Sequence, residues 1–139
     1  MLPDIGQENE GLLNIICIPG VDIVEISRIR KLYEKWGDKF LHRVFTAAEI
    51  EYCLGKAGTP AHLAGRFAAK EAVIKSIKVR PSPPLKSIEI LRGKSGNPEV
   101  RLKKESERIV RSMGILNISL TISHSHDFAV AFAIAHKKL

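Results

Sequence analysis

Little in this chain could staple it together or stack against a nucleic acid base. Its 139 residues include two cysteines, Cys17 and Cys53, one tryptophan and two tyrosines. Two cysteines in apolar contexts make no disulfide scaffold, and both are expected to be buried as small hydrophobes in a reducing compartment. So few aromatics, none of them clustered, argue against a base-stacking platform. The chain has no run of about 18 apolar residues, so no membrane-spanning helix is expected. The opening residues, Met1 to Glu8, lack both a basic region and an apolar stretch, so no signal peptide is expected and the expected compartment is the cytoplasm. Acidic residues are outnumbered, 15 against 22 Lys and Arg, leaving a net charge of +7. A surface of that sign favours an acidic partner, be it nucleic acid, an acidic protein or a phosphorylated cofactor, and does not choose among them.

What is present suits one domain with a core of its own. Residues 1–13 are polar and contain glycine, and read as a loose extension; residues 14–139 form the domain. Ile15-Ile16-Cys17-Ile18 and Val21-Asp22-Ile23-Val24 predict a buried strand with a bulge or kink at Pro19-Gly20. A carboxylate inside that apolar run needs a cation or several donors, which singles out Asp22. In the next helix Ile26, Ile29, Tyr33 and Trp36 form the expected core stripe, and Arg28, Lys31 and Lys35 a basic face. Lys39, His42 and Arg43 extend that basic character. Thr46-Ala47-Ala48-Glu49 has the form of a capping box opening a short helix to about Leu54.

Thr59-Pro60 reads as N-cap and first position of the longest helix, over roughly residues 60–78. Its Ala64, Gly65, Ala68, Ala69 and Ala72 are small enough for another backbone to come close. Pro81-Ser82-Pro83-Pro84 ends it. Lys86 to Arg92 and Glu99 to Leu102 predict a hairpin around Gly93 to Pro98. Leu102, Ile109, Val110 and Met113 predict a helical stripe closed by Gly114. Asn117 to Ser123 alternates polar and apolar, and from Phe128 to Ala135 large residues alternate with alanines. The alanine face can accept a close-packed helix or a neighbouring subunit. Strands and helices mix without a regular βαβ rhythm, so the expected class is α+β, with an antiparallel sheet packed on the long helix.

Four residues could carry chemistry: Asp22, Glu71, Lys75 and His124. Each has an ordinary alternative. Glu71 and Lys75 make an i, i+4 pair, commonly surface decoration worth about 0.2–0.5 kcal/mol. Asp22 could cap a helix, and His124 could be a polar turn residue. Their company argues otherwise. Small residues around Glu71 leave room for something bulky, and two carboxylates without nearby cysteine form a hard-oxygen site of the kind Mg²⁺ takes, completing its shell with water and phosphate oxygens. A lysine beside them suits a phosphate or a leaving group gaining negative charge. The chemistry indicates Mg²⁺-assisted transfer or hydrolysis at a phosphate. A Mg²⁺-dependent nuclease and a non-catalytic nucleic-acid binder use some of the same features, but a binder gives no reason for the Asp22 and Glu71 pair.

Gly20-Val21-Asp22-Ile23-Val24-Glu25-Ile26, then Arg66-Phe67-Ala68-Ala69-Lys70-Glu71-Ala72 with Lys75, then Ile122-Ser123-His124-Ser125 resemble, in order and spacing, the motifs of holo-acyl-carrier-protein synthases. These are the small bacterial type of 4′-phosphopantetheinyl transferase, and the resemblance spans about residues 15–136. It implies a phosphopantetheinyl transferase fold assembled as a trimer with active sites between subunits. It further implies transfer of phosphopantetheine from coenzyme A to a serine of acyl carrier protein, with release of adenosine 3′,5′-bisphosphate. By the same resemblance Asp22 and Glu71 hold Mg²⁺, and Glu71 and Lys75 are catalytic. His124, Lys75 and Arg66 contact coenzyme A phosphates, and Arg28, Lys31, Lys35 and Arg43 dock the acidic carrier. Two departures stand out. Gly96-Asn97-Pro98 replaces the usual Gly-Lys-Pro, leaving Lys94 as a possible substitute, and the N-terminus is about a dozen residues longer than usual.

Overall fold

The computed structural model describes residues 14–139, so the expected N-terminal extension lies outside the described residues. Strand β1, Ile15–Glu25, opens the chain and leads directly into helix α1, Ile26–Trp36. Short helices α2, Asp38–Val44, and α3, Ala47–Leu54, precede the long helix α4, Thr59–Ile77. A 3₁₀ turn at Leu85–Ser87 enters strands β2, Ile88–Arg92, and β3, Pro98–Leu102; helix α5, Lys104–Ser112, and strands β4, Ile115–His124, and β5, Phe128–Lys138, complete the chain.

The strands form two antiparallel sheets, one in the order β1-β5-β4 and one pairing β2 with β3. Directly opposed residues share a face, so the register sorts the larger sheet. Gly20, Asp22 and Val24 of β1 stand opposite Ala133, Ala131 and Ala129 of β5, which in turn oppose Leu120, Ile122 and His124 of β4. This is the face that α4 covers. All four β5 alanines from Ala129 to Ala135 are buried, as are Leu63, Ala64, Ala68, Ala69, Ala72, Val73 and Ile77 of α4. Small residues on both sides bring helix and sheet together closely. A Cβ on Gly65 would lie 3.1 Å from Ile122. A Cβ on Gly20 would overlap the Ala72 carbonyl and sit 2.7 Å from the Ser76 nitrogen. Helix α4 thus crosses the sheet obliquely, its first turns over β4 and its last turns over β1.

The α+β class, the antiparallel sheet and the long helix match the expectation, and several local details differ. β1 runs through Pro19-Gly20 in unbroken register with Ile134 and Ala133, without a bulge. It is an edge strand, where a missing N–H can face the free side, and Gly20 serves the approach of α4. Trp36 is exposed at the end of α1 with Lys35 over its ring, so the stripe on α1 is Ile26, Ile29 and partly Tyr33. Cys53 is buried, but Cys17 is exposed. Gly58, in the left-handed region at φ 77°, caps α4, and Thr59 is already helical. Leu102 stays in β3 opposite Ile88, and Ile109 is exposed; α5 turns Ser106 and Val110 inward. Of the two uses foreseen for the alanine face, the packed helix occupies it. The face that remains exposed carries Val21 and Ile23 of β1 and Phe128 and Phe132 of β5.

Candidate active site

The oblique crossing of α4 and β1 carries the first motif onto the second. Asp22 is on the α4-facing side of β1, and close contact between Gly20 and the Ala72 turn holds the strand against the helix. Lys75 Nζ donates to the Val21 carbonyl at 3.0 Å and pairs with Asp22 Oδ1 at 3.2 Å. The cation that Asp22 required is therefore Lys75, and the bond runs between motifs instead of along the helix to Glu71. Glu71 is half-buried beside them. Partial burial, and after it the Asp22 charge, push its carboxyl above the ordinary glutamate value, with Lys75 opposing.

That donor set fits a divalent magnesium ion. Asp22 and Glu71 offer two carboxylates, one from a strand and one from a helix, and among the described residues no group of three His, Cys, Asp or Glu forms a protein cage. Mg²⁺ keeps waters and phosphate oxygens in the rest of its shell, so an incomplete protein set matches it better than it matches Zn²⁺ or Ca²⁺.

The other half of the site lies at the start of α4. Arg66 stacks on the Tyr52 ring, 3.9 Å from guanidinium carbon to ring centroid. It is only 8% exposed, and its buried Nε has no hydrogen-bond partner among the described residues. His124, on the final residue of β4, is exposed, and its ring lies 6.4 Å from that of His62. Of the three residues expected to meet phosphate, Arg66 and His124 are linked through the Tyr52 and His62 rings, whose centroids lie 5.9 Å apart, while Lys75 sits at the other end of the helix beside Asp22.

Arg28, Lys31 and Lys35 line an open groove on α1 with Leu32, Ile23 and Phe128, of about 540 Å³. The first motif adds Ile23 and Val24 to its apolar floor and one carboxylate, Glu25, beside the three cations. Arg43 is exposed on α2, outside that lining. Lys94 and Asn97 are exposed in the β2–β3 turn.

Two residues were missed by sequence reasoning. Lys70, beside Glu71, is wholly buried and pairs with the equally buried Glu49 at 2.7 Å. It also donates to the carbonyls of Leu85 and Ile88 at 3.0 and 2.6 Å. Glu49 does more than serve the capping box with Thr46: its second oxygen accepts the Ile90 N–H at 3.0 Å. Burial pulls the Lys70 ammonium below its ordinary value, and Glu49 pulls it back. This lock fixes α3, β2 and the 3₁₀ turn to the helix that presents Glu71. Its signal was a lysine on the same helical stripe as Leu63, Val73 and Ile77. His62 is the second, with a weaker signal, a position one turn before Arg66.

Comparison with known proteins agrees with this assembly. A family described as the 4′-phosphopantetheinyl transferase superfamily matches residues 19–133. The chain is 41% identical to the holo-[acyl-carrier-protein] synthase of Halothermothrix orenii over 119 residues, 85% of this chain and 95% of that protein. It is 45% identical to the one from Caldicellulosiruptor bescii over 118 residues, 85% and 96% of the two chains. The crystal structure of holo-[acyl-carrier-protein] synthase from Neisseria meningitidis superposes with a TM-score of 0.79 at 31% identity, covering 86% of this chain and 98% of that one. The Helicobacter pylori synthase, solved in complex with coenzyme A, superposes at 0.74 with 31% identity, covering 85% and 99%. With its three motifs set along one helix and the sheet face beneath it, and with these relatives along nearly its whole described length, the chain belongs to the 4′-phosphopantetheinyl transferase superfamily, among the holo-[acyl-carrier-protein] synthases.

Proposed function

We propose that this chain transfers the 4′-phosphopantetheine group of coenzyme A to a serine of apo acyl carrier protein, with Mg²⁺, and releases adenosine 3′,5′-bisphosphate. The observation that carries this reading is the junction of Asp22, Glu71 and Lys75, two carboxylates and one ammonium gathered where β1 meets the last turns of α4. Asp22 and Glu71 would hold the metal, which when bound spreads the charge of a pyrophosphate and orients it for in-line attack. Glu71 takes the serine proton, directly or through water. The serine oxygen then forms a bond to the pantetheine-side phosphorus, and the bond from that phosphorus to the bridging oxygen breaks. Lys75 offsets the charge that develops on the departing nucleotide phosphate. Arg66, nearer the start of α4, and His124, at the end of β4, bind phosphate.

The carrier docks on the groove of Arg28, Lys31 and Lys35, with Arg43 adding longer-range attraction for an acidic surface. The likeness to a coenzyme A complex supports the cosubstrate, and the exposed apolar side of the larger sheet supports a homotrimer with its active sites between subunits. Solubility in a reducing cytoplasm is consistent with two unbridged cysteines, and among the described residues no helix is long and apolar enough to cross a membrane.

The test is intact mass spectrometry of apo acyl carrier protein incubated with the enzyme, coenzyme A and MgCl₂. A gain of one phosphopantetheine, abolished by EDTA, is expected. General-base assistance is worth about 10²–10⁴-fold, so Glu71→Gln should keep the wild-type melting temperature and lose at least about 100-fold in rate. Near-normal turnover by that variant would remove Glu71 from both its roles. The same assay at rising salt reads the docking surface, since a basic groove should lose carrier affinity as charges are screened.

A further inference from the structure

The larger sheet carries a second set of metal-ligating side chains, on the face turned away from α4. Cys17 of β1 stands directly opposite His136 of β5, so both side chains project from that face. Cys17 Sγ lies 3.7 Å from His136 Nδ1, and the other ring nitrogen, Nε2, is 2.9 Å from Ser119 Oγ of β4. Three neighbouring strands thus bring a thiol, an imidazole and a hydroxyl into one line. In the tautomer whose Nε2–H donates to Ser119, the Nδ1 lone pair is aimed at the sulfur. Cys17 and Ser119 are exposed and His136 is half-buried, so an ion reaches the pair from solvent while the ring stays held.

Zinc binds cysteine sulfur at about 2.3 Å and histidine nitrogen at about 2.0–2.1 Å, so two such ligands at the tetrahedral angle are roughly 3.6 Å apart. The observed 3.7 Å is within the tolerance of about 0.2 Å expected of a real site. A hydrogen-bond partner on the far ring nitrogen is what a ligating histidine commonly has, since it fixes the tautomer and aims the ligand. No group of three His, Cys, Asp or Glu forms among the described residues, so the rest of the tetrahedral shell is left for water. Sulfur and imidazole are softer donors than the Asp22 and Glu71 carboxylates, so this pair favours Zn²⁺ or Co²⁺ over Mg²⁺. The two places are also well apart. Cys17 precedes Asp22 by five residues and projects from the opposite face, about 16 Å away along β1 at roughly 3.3 Å per residue.

We propose that Cys17 and His136 form a binding site for one divalent transition-metal ion, Zn²⁺ or Co²⁺, with Ser119 orienting the imidazole. The site is separate from the transfer chemistry and does not depend on the transferase reading. The bound ion joins β1, an edge strand, to β5 by a link other than their backbone bonds. It therefore clips down the strand that carries Asp22 and stabilises the folded chain by mass action. Coordination needs the thiolate, so binding releases the thiol proton and weakens as pH falls.

Titration of the full chain, stripped of metal, with Co²⁺ as a spectroscopic stand-in for Zn²⁺ tests this. A thiolate-to-cobalt charge-transfer band in the near ultraviolet should saturate at one ion per chain and be displaced by Zn²⁺. Cys17→Ser should lose the band. Ser119→Ala, which leaves both ligands in place, should weaken binding by about 10–100-fold, the usual effect of removing the group that orients a ligating histidine. His136→Gln should weaken it at least as much, and Glu71→Gln should bind as the wild type does. In melting curves, Zn²⁺ at about 100 times its Kd should raise Tm by roughly 5 °C or more in the wild type and in Glu71→Gln, and not in Cys17→Ser. A band that is absent at saturating Co²⁺, or that survives Cys17→Ser, overturns the inference. So does a Zn²⁺ shift in Tm that persists in Cys17→Ser and vanishes in Glu71→Gln, because it places the ion at the carboxylates.

Discussion

Cys53 and Cys17 have the same side chain and different fates. Cys53 is sealed in the core beside α4, and burial pushes its thiol up to about 11 from 9.0. The folded chain holds that proton more tightly than the unfolded chain. The thiol's contribution is thus complete below pH 9 and is lost as pH rises from 9 toward about 11, because the unfolded state ionises first. Cys53→Ala should be less stable than wild type at about pH 8 by the cost of a small cavity, ~1 kcal/mol. The gap between their melting temperatures should narrow by about pH 10, where the wild type alone pays for keeping the thiol neutral. An unchanged gap would mean the thiol ionises freely. A different balance governs Lys70 and Glu49. A buried ion pair adds little net stability over an apolar pair of equal volume, yet losing one partner strands the other. The pair therefore acts mainly as a constraint on geometry, setting where the turn bearing Glu71 must lie.

At the scale of elements, the crossing of α4 over β1 decides whether the site exists. Gly20→Ala places a methyl group into the Ala72 carbonyl. Backbone on both sides leaves no flexible atom to yield, so the strand must shift, at a cost of about 3 kcal/mol. The shift carries Asp22 away from Glu71. Loss of magnesium-dependent transfer is expected to exceed the loss in thermal stability, measured as kcat against MgCl₂ concentration beside a melting curve. Full activity in a destabilised Gly20→Ala would show that the Asp22 spacing is uncritical.

Elements whose pattern was local could be read from sequence. The capping box at Thr46 and Glu49, the alternation of β4 and the alanines of β5 each report their own neighbours. Contacts made by long-range pairing could not be read. Nothing near Pro19-Gly20 in the chain says that β1 is an edge strand, so the missing N–H looked like a break. Nothing near Lys70 names Glu49, which is 21 residues away. Asp22, Glu71, Lys75 and His124 stood out by residue type and setting, and resemblance supplied their roles; that Lys75 would bond to Asp22 and not to Glu71 needed the crossing itself.

For the whole molecule, the unusual feature is an uncovered sheet face. Ile23 is 64% exposed and Val21 52%, with Phe128 and Phe132 beside them. Apolar side chains massed on one side of a small protein mark an interaction surface, and a second and third copy of the chain would cover it. Light scattering of the wild type is expected to give three times the mass of the 15.4 kDa chain. Phe132→Asp should fall toward one, losing carrier modification with it if active sites span subunits. A wild-type monomer with full activity would sink that arrangement.

The Glu49 carboxylate has one more effect, on the timing of local motion. It belongs at once to the start of α3, to the ammonium on α4 and to the N–H of Ile90 on β2. None of these three elements can open alone without exposing a charge that had been buried with its counterion. Hydrogen exchange at Ile90 and at the first turn of α3 should thus proceed through a single shared opening, while the turn around Asn97, which lies beyond that tether and is closed only by its own two backbone bonds, opens independently of it.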